Sequence, residues 1–215
     1  MAKTFVRFLW TLLIVSVLVA IGAFYAIAEG WIGYMPPVED LQNPINRFAT
    51  QVYSADGKLM GTWNYNKENR ICVDYDQLSP ALVKALVATE DVRYYDHSGI
   101  DFKALARAIV KRGLMGQKNA GGGSTITQQL AKQLYSDKAA SVTERVLQKP
   151  IEWVIAVKLE RNYTKDEIIA MYLNYFDFLH NAVGIKTAAN TYFGKEPKNL
   201  SVTEAATLIG LCKNP

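Results

Sequence analysis

From Phe8 to Ala28 the chain carries no charged residue, and no other stretch constrains its fold as strongly. These 21 residues, at about 1.5 Å rise each, make a helix of roughly 31 Å, the depth of a bilayer's hydrocarbon core of about 30 Å. Lys3 and Arg7 precede the run, while Glu29, Glu39 and Asp40 follow it. The positive-inside rule then leaves the N-terminus in the cytoplasm and puts everything after Glu29 outside. A cleaved secretory signal is the alternative, because Ala26-Ile27-Ala28 has the small-x-small form of a cleavage site. The run exceeds the usual signal core of about 7–15 residues, which favours a retained anchor. On either reading the body of the protein is exported. Trp31 and Tyr34 suit interfacial anchors, or pack on the domain that follows.

What remains is enough chain for one domain of ordinary size. The formal charge of +4 is a modest excess that suits an anionic membrane surface or a pyrophosphate-bearing substrate. There is no Lys/Arg-dense run with interleaved aromatics, so a nucleic-acid partner is not expected. With only His97 and His180 and no cysteine cluster, a zinc site is not expected either. Cys72 and Cys212 lie far apart; export would permit a disulfide, but they read as two free, structural thiols.

Pro36-Pro37 through Pro44 reads as an extended linker. The β-prone runs Thr50–Tyr53 and Leu59–Trp63 flank Asp56-Gly57, a strong hairpin signal. Arg70–Tyr75 suggests a third short strand. From Ser79 the pattern turns helical. Ser79 can cap, Pro80 suits the first helical position, and Leu82, Ala85, Leu86 and Thr89 keep one face largely apolar, so Glu90 falls at the helix's C-terminal end. Further helices are predicted over Asp101–Met115, Thr125–Tyr135 and Thr143–Arg161, the last with a kink or broken start at Pro150. Thr164 with Glu167, and Ser201 with Glu204, have capping-box spacing and open helices reaching about Asn174 and Lys213. Glycines make the Gly116–Gly123 segment a candidate mobile loop. The predicted organisation is an anchor over 1–29, a linker over 30–49, and a mainly α domain over 50–215 with a small β-hairpin near the membrane.

Chemistry is concentrated in a few places. In Glu90-Asp91-Val92-Arg93-Tyr94-Tyr95-Asp96-His97-Ser98-Gly99, an acid closes an apolar helix and faces a polar turn, where it could accept a proton. Taken alone, this is as readily a solvated helix end, with Asp91 orienting the turn. In Gly121-Gly122-Gly123-Ser124-Thr125-Ile126-Thr127-Gln128-Gln129-Leu130-Ala131-Lys132, small residues feed a helix N-terminus, whose amides and dipole attract anions. Thr125, Gln128 and Lys132 share one face and suit phosphate and sugar hydroxyls, or simply solvent. It is not a Walker loop, because no Gly-Lys-Ser/Thr follows the glycines. In Arg145-Val146-Leu147-Gln148-Lys149-Pro150-Ile151-Glu152, Lys149 and Glu152 lie one turn apart, either as a surface ion pair or as a second carboxylate with cations beside it.

Together these blocks resemble the family-51 glycosyltransferase domain, the peptidoglycan polymerase of class A penicillin-binding proteins and monofunctional transglycosylases. Glu90-Asp91-x-x-Tyr94-x-x-His97-x-Gly99 looks like the family's first motif with Tyr in place of Phe. Gly123 through Lys132 is nearly a full match to the second, departing at Gln133 where Asn is usual. Lys149-x-x-Glu152 is similar to the third, with Gln148 replacing an Arg. Lys165-x-x-Ile168 with Met171-Tyr172-Leu173-Asn174, and Gly184-Ile185-x-x-Ala188-Ala189-x-x-Tyr192-Phe193-Gly194-Lys195, resemble the next blocks. The resemblance runs from about Pro36 to Pro215.

It implies a lysozyme-like helical fold, a larger head and a smaller membrane-dipping jaw lining a groove. Phe102, Leu105, Ile109, Leu114 and Met115 would give the jaw an apolar surface. It implies polymerisation of lipid II into β-1,4 glycan strands with inversion, on the periplasmic or extracellular side of a bacterial inner (cytoplasmic) membrane, by a single-pass protein. Glu90 and Glu152 would be catalytic. Asp91, His97, Ser124, Thr125, Gln128, Gln129, Lys132, Arg145, Lys149 and Asn174 would bind substrate, Arg145 standing in for the guanidinium missing at Gln148. No cofactor is required on this reading, and Glu152 would position the cations or a divalent ion (Mg or Mn) at the pyrophosphate. Partners implied are lipid II, the growing glycan chain, the membrane and cell-wall synthesis proteins. A C-terminally shortened domain is expected relative to the family, without transpeptidase activity, since no Ser-x-x-Lys occurs. The alternatives are a lysozyme-like lytic enzyme and a non-catalytic membrane scaffold. A pyrophosphate cradle argues against the first, and the intact Glu90 and Glu152 against the second.

Overall fold

The computed structural model describes residues 2–33, 35–37, 50–63, 71–116, 122–135 and 142–213. Ala2–Ala28 forms one helix, α1, exposed along most of its length and long and apolar enough to cross a membrane. Thr50–Tyr53 (β1) and Leu59–Trp63 (β2) pair antiparallel, with Thr50 opposite Trp63 and a register shift between Val52 and Tyr53. The turn at Asp56-Gly57 closes as expected, with Lys58 N–H donating to Ser54 Oγ at 3.2 Å. Most of the linker predicted over Pro36–Pro44, and residues 117–121 of the glycine-rich segment, lie outside the described residues.

The body is mainly helical. Its helices are α2 (Pro80–Glu90), α3 (Phe102–Ala108), α4 (Ile126–Tyr135), α5 (Val142–Asn162), α6 (Lys165–Tyr175), α7 (Ile185–Phe193) and α8 (Val202–Lys213). The starts are set by local chemistry. Ser79 Oγ accepts from the Leu82 amide at 3.1 Å ahead of Pro80. Thr164 and Glu167 satisfy one another's amides, as do Ser201 and Glu204.

Helix α4 is the central element, packed against both α5 and α6, while α2 packs on α8. Its Ile126 and Leu130 meet Leu82 and Leu86 of α2, Ile155 and Leu159 of α5, and Ile168 and Tyr172 of α6 in a single core, all shielded from water. The i, i+4 spacing in each helix puts the pair on one face. Each such aliphatic side chain contributes about 1.5–3 kcal/mol by leaving water.

Three local expectations change. Ile71–Asp74 is extended but forms no strand: the Val73 N–H donates to Asn174 Oδ1 at 3.1 Å, and Asn174 Nδ2 donates to the Val73 carbonyl at 2.9 Å. A side-chain amide takes the place that a neighbouring strand would fill. The helix starting at Asp101 is α-helical only to Ala108 and continues as π-helix over Ile109–Leu114, with the Met115 amide donating to the Val110 carbonyl at 3.1 Å. Helix α5 continues through Pro150 without a break. One missing N–H is outweighed there by the burial of the apolar Ile155, Ala156 and Leu159 on the same helix.

The span is docked on α5. Phe24 stacks on Trp153 with ring centroids 6.2 Å apart, Ile27 is buried, and Lys158 Nζ donates to the Ala28 carbonyl at 3.0 Å. At the other end of the fold, α8 is fastened by Glu204. The Lys195 ammonium at 2.8 Å, then the Ser201 amide and hydroxyl, hold its carboxyl down to about 2. A carboxyl lowered on folding contributes stability above its unfolded value near 4.5 and loses it as pH falls toward 2. The melting-temperature gap between wild type and Glu204→Gln, followed by circular dichroism, should therefore be full above about pH 5 and close as pH approaches about 2.

Candidate active site

Helix α2 ends at Glu90 because Asp91 leaves helical geometry, with φ −153° and ψ 78°. The two adjacent acids then face different surroundings. Asp91 is buried; its Oδ2 accepts from the Ile126 amide at 3.2 Å, the first residue of α4, and lies 3.0 Å from His97 Nε2. A carboxylate at a helix N-terminus meets unpaired amides and the positive end of the dipole.

The loop after His97 is held by three helices. The Gly99 carbonyl accepts from Thr125 Oγ1 at 2.7 Å and from Gln128 Nε2 at 3.1 Å. Lys165 Nζ on α6 donates to the His97 carbonyl at 2.7 Å and to Glu160 Oε1 at 2.8 Å, where Thr127 Oγ1 also donates. Gly99 itself has φ +89°, and a Cβ there would lie 3.0 Å from the Ala156 backbone of α5. Only glycine meets both demands.

Glu90 lines a groove of about 500 Å³ with Arg93, Arg107, Gly123, Ser124 and Gln129. Its Oε2 accepts from Gln129 Nε2 at 2.8 Å, while its Oε1 is buried with no hydrogen-bond partner among the described residues. One carboxylate oxygen is therefore held by a hydrogen bond and the other is not. Arg93 is anchored to Asp101 Oδ2 through Nε at 2.9 Å and Nη2 at 2.6 Å. Burial works to raise the Asp101 carboxyl, but the Ala104 amide and the Arg93 guanidinium outweigh it and hold the carboxyl below its usual range.

Across the Gly122–Thr125 segment stands a second ionic group. Lys149 Nζ lies 2.6 Å from Glu152 Oε2 and 3.4 Å from Ser124 Oγ. Glu152 is 1% exposed, so this is not the solvated surface pair its spacing also allowed. Lys149 is about half exposed, with its ammonium between a buried carboxylate and the start of the groove.

The structure thus pairs Glu90 with Gln129 and Asp91 with His97, joins Thr125 and Gln128 on the Gly99 carbonyl, and groups Ser124, Lys149 and Glu152 beside them. Thr125 and Gln128 spend their side chains on the Gly99 carbonyl. Asn174 spends its amide on Val73, apart from the groove. Lys132 is exposed on α4, one turn beyond Gln129, and the Arg145 side chain lies outside the described residues. The motif reading gave no role to Arg93 and Arg107, which line the groove, and quoted Tyr172 only within the fourth block, although its hydroxyl donates to Gln129 Oε1 at 3.2 Å. Arg93 sits inside the first motif at a variable position, and Tyr172 reads as core, so neither carried a signal of its own.

A helix long and apolar enough to cross a membrane, docked on a helical domain with an acid over a cation-lined groove, defines a groove-bearing helical protein of membrane-suited design. A transglycosylase family model matches residues 56–215, and the chain belongs to that family. It is 36% identical over 212 residues to penicillin-binding protein 1A of Escherichia coli, covering 98% of this chain and 24% of that protein. It is 38% identical over 221 residues to penicillin-binding protein 2D of Bacillus subtilis (100% of this chain, 31% of that one). To penicillin-binding protein 1F of the same species it is 43% identical over 148 residues, 69% of this chain and 20% of that protein. The chain therefore spans between 20% and 31% of the length of these relatives.

Gly99→Ala should destabilise the fold by about 1–3 kcal/mol, from backbone strain alone, in chemical denaturation. A variant with unchanged midpoint would mean that the loop does not depend on the α5 contact.

Proposed function

We propose that this chain is a peptidoglycan glycosyltransferase that polymerises lipid II into β-1,4 glycan strands. The observation that carries the reading is Glu90: a groove-lining carboxylate with one oxygen fixed by Gln129 and the other buried without a partner. Family membership supports the same activity.

In this reading the 4-hydroxyl of the acceptor lipid II donates its proton to Glu90 Oε1 as its oxygen attacks the donor's anomeric carbon. The new C–O bond forms on the face opposite the pyrophosphate. The bond to the pyrophosphate oxygen breaks, that oxygen keeps the electron pair, and the configuration inverts. The departing polyprenyl pyrophosphate is an anion, so the site needs cations more than a general acid. Lys149, oriented by Glu152 and beside Ser124, is best placed for this. By the family resemblance Lys132 and Arg145 would add cations to the clamp, and Arg107 offers a further guanidinium on the groove wall. A divalent ion would have to be carried mainly by the pyrophosphate itself. Glu152 is already engaged by Lys149, and among the described residues no three His, Cys, Asp or Glu side chains converge.

The span would hold the domain on the outer face of a bacterial inner membrane. Phe102, Ile109, Val110 and Met115 are exposed together on α3 and its π-helical extension, a surface fit for the headgroup region. Leu105 is half-buried, and the Leu114 side chain lies outside the described residues. Lipid II, the growing glycan, the membrane and other cell-wall proteins would be the partners.

Glu90→Gln should cut lipid II polymerisation roughly 10²–10⁴-fold while leaving the melting curve near wild type. Retained polymerisation would refute the assignment. Replacing Phe102, Ile109 and Met115 by Ser in the domain without its span should weaken liposome partitioning, measured by flotation; unchanged partitioning would remove the membrane-facing role.

A further inference from the structure

We propose that Tyr172 is a positioning residue for Glu90, acting through the side-chain amide of Gln129. This rests on the reading of Glu90 as the base. Tyr172 projects from α6 and is fully buried, its hydroxyl donating to Gln129 Oε1 at 3.2 Å. Gln129 projects from α4, its Nε2 donating to Glu90 Oε2 at 2.8 Å. The three groups form one directed chain across three helices: phenol to amide oxygen, amide nitrogen to carboxylate.

Direction follows from chemistry. A carboxylate only accepts, so the amide must turn its NH₂ toward Glu90, which leaves the amide oxygen pointing at Tyr172. A phenol that keeps its proton is the donor such an oxygen needs. Burial pushes the Tyr172 hydroxyl well above its ordinary range, and the nearby Cys212 and Glu90 add to this, so it stays neutral. The Cys212 thiol of α8 occupies the same buried region and is also raised, by burial first and by the Glu90 charge second. Tyr172 and Cys212 therefore add no competing charge behind the acid.

The consequence is selective. Both ends of the Gln129 amide are engaged, so it cannot rotate, and Glu90 Oε2 stays occupied through it. Oε1, which has no partner, is left as the proton-accepting oxygen. Without the Tyr172 hydroxyl the amide oxygen loses its buried donor, the amide gains rotational freedom, and the carboxylate is no longer held in one orientation.

The full-length chain in detergent, with Tyr172→Phe, Gln129→Met and the double variant, tests this. For Tyr172→Phe the turnover of lipid II should fall roughly 10- to 100-fold with KM little changed, since the contact aligns the base rather than holding substrate. The double variant should be no slower than Gln129→Met alone, because the phenol acts only through that amide. A separate readout is the side-chain amide signal of Gln129 in ¹⁵N-glutamine NMR, assigned by its loss in Gln129→Met. It should shift in Glu90→Gln and again in Tyr172→Phe. If Tyr172→Phe leaves both the amide signal and the turnover at wild-type values, or raises KM instead, the proposal is overturned. Additive losses in the double variant also overturn it. Should wild type fail to polymerise lipid II, the functional reading falls, while the amide signal still decides whether Tyr172 holds Gln129 against Glu90. A fold defect in Tyr172→Phe is recognised by its melting curve; in that case the Glu90→Gln response of the Gln129 signal decides, and no response overturns the chain.

Discussion

One buried carboxylate, that of Asp91, joins the parts on which the groove depends. It closes α2, accepts the first amide of α4 and meets the imidazole of His97. A carboxyl group away from water is tolerated only when hydrogen bonds replace those it made to water. Here a helix N-terminus and an imidazole do so, and the cost of leaving them unmet fixes the angle at which α2 delivers its last residue. Glu90, the neighbour in sequence, inherits that position without sharing the bonds. Adjacent acids thereby divide the work: one is satisfied and structural, the other retains an unpartnered oxygen.

The loop between His97 and Asp101 is the second consequence. Its backbone carbonyls, not its side chains, receive Thr125, Gln128 and Lys165. Polar residues that look available for a ligand when read along α4 are consumed in closing this turn. Glycine at position 99 lets the loop approach the α5 backbone, so the first motif and α5 reach one another through a single close contact.

Helix α5 connects two tasks that the sequence separates. Trp153 and Lys158 dock the end of the span, while Glu152 turns inward toward Lys149 and Ser124. On a helix these residues occupy different faces, so the same rigid element faces the membrane anchor on one side and the groove on the other.

Much was legible along the chain, because the signals were local. A charge-free run of bilayer length, Asp-Gly between β-prone segments, and Ser or Thr ahead of Glu at capping distance each act within a few residues, so the span, the hairpin and the starts of α2, α6 and α8 followed from sequence. Motif order identified the family and the acid at the end of α2. What only the tertiary structure decided was the use of each polar side chain. Asn174 replaces a strand partner for Val73, Thr125 and Gln128 hold Gly99, Glu152 is buried, and Tyr172 reaches Gln129 across the core. A hydrogen-bonding group takes whichever partner folding brings within about 3 Å, and those partners lie 26 to 101 residues away in the chain. Spacing shows which residues can share a face; packing decides what that face meets.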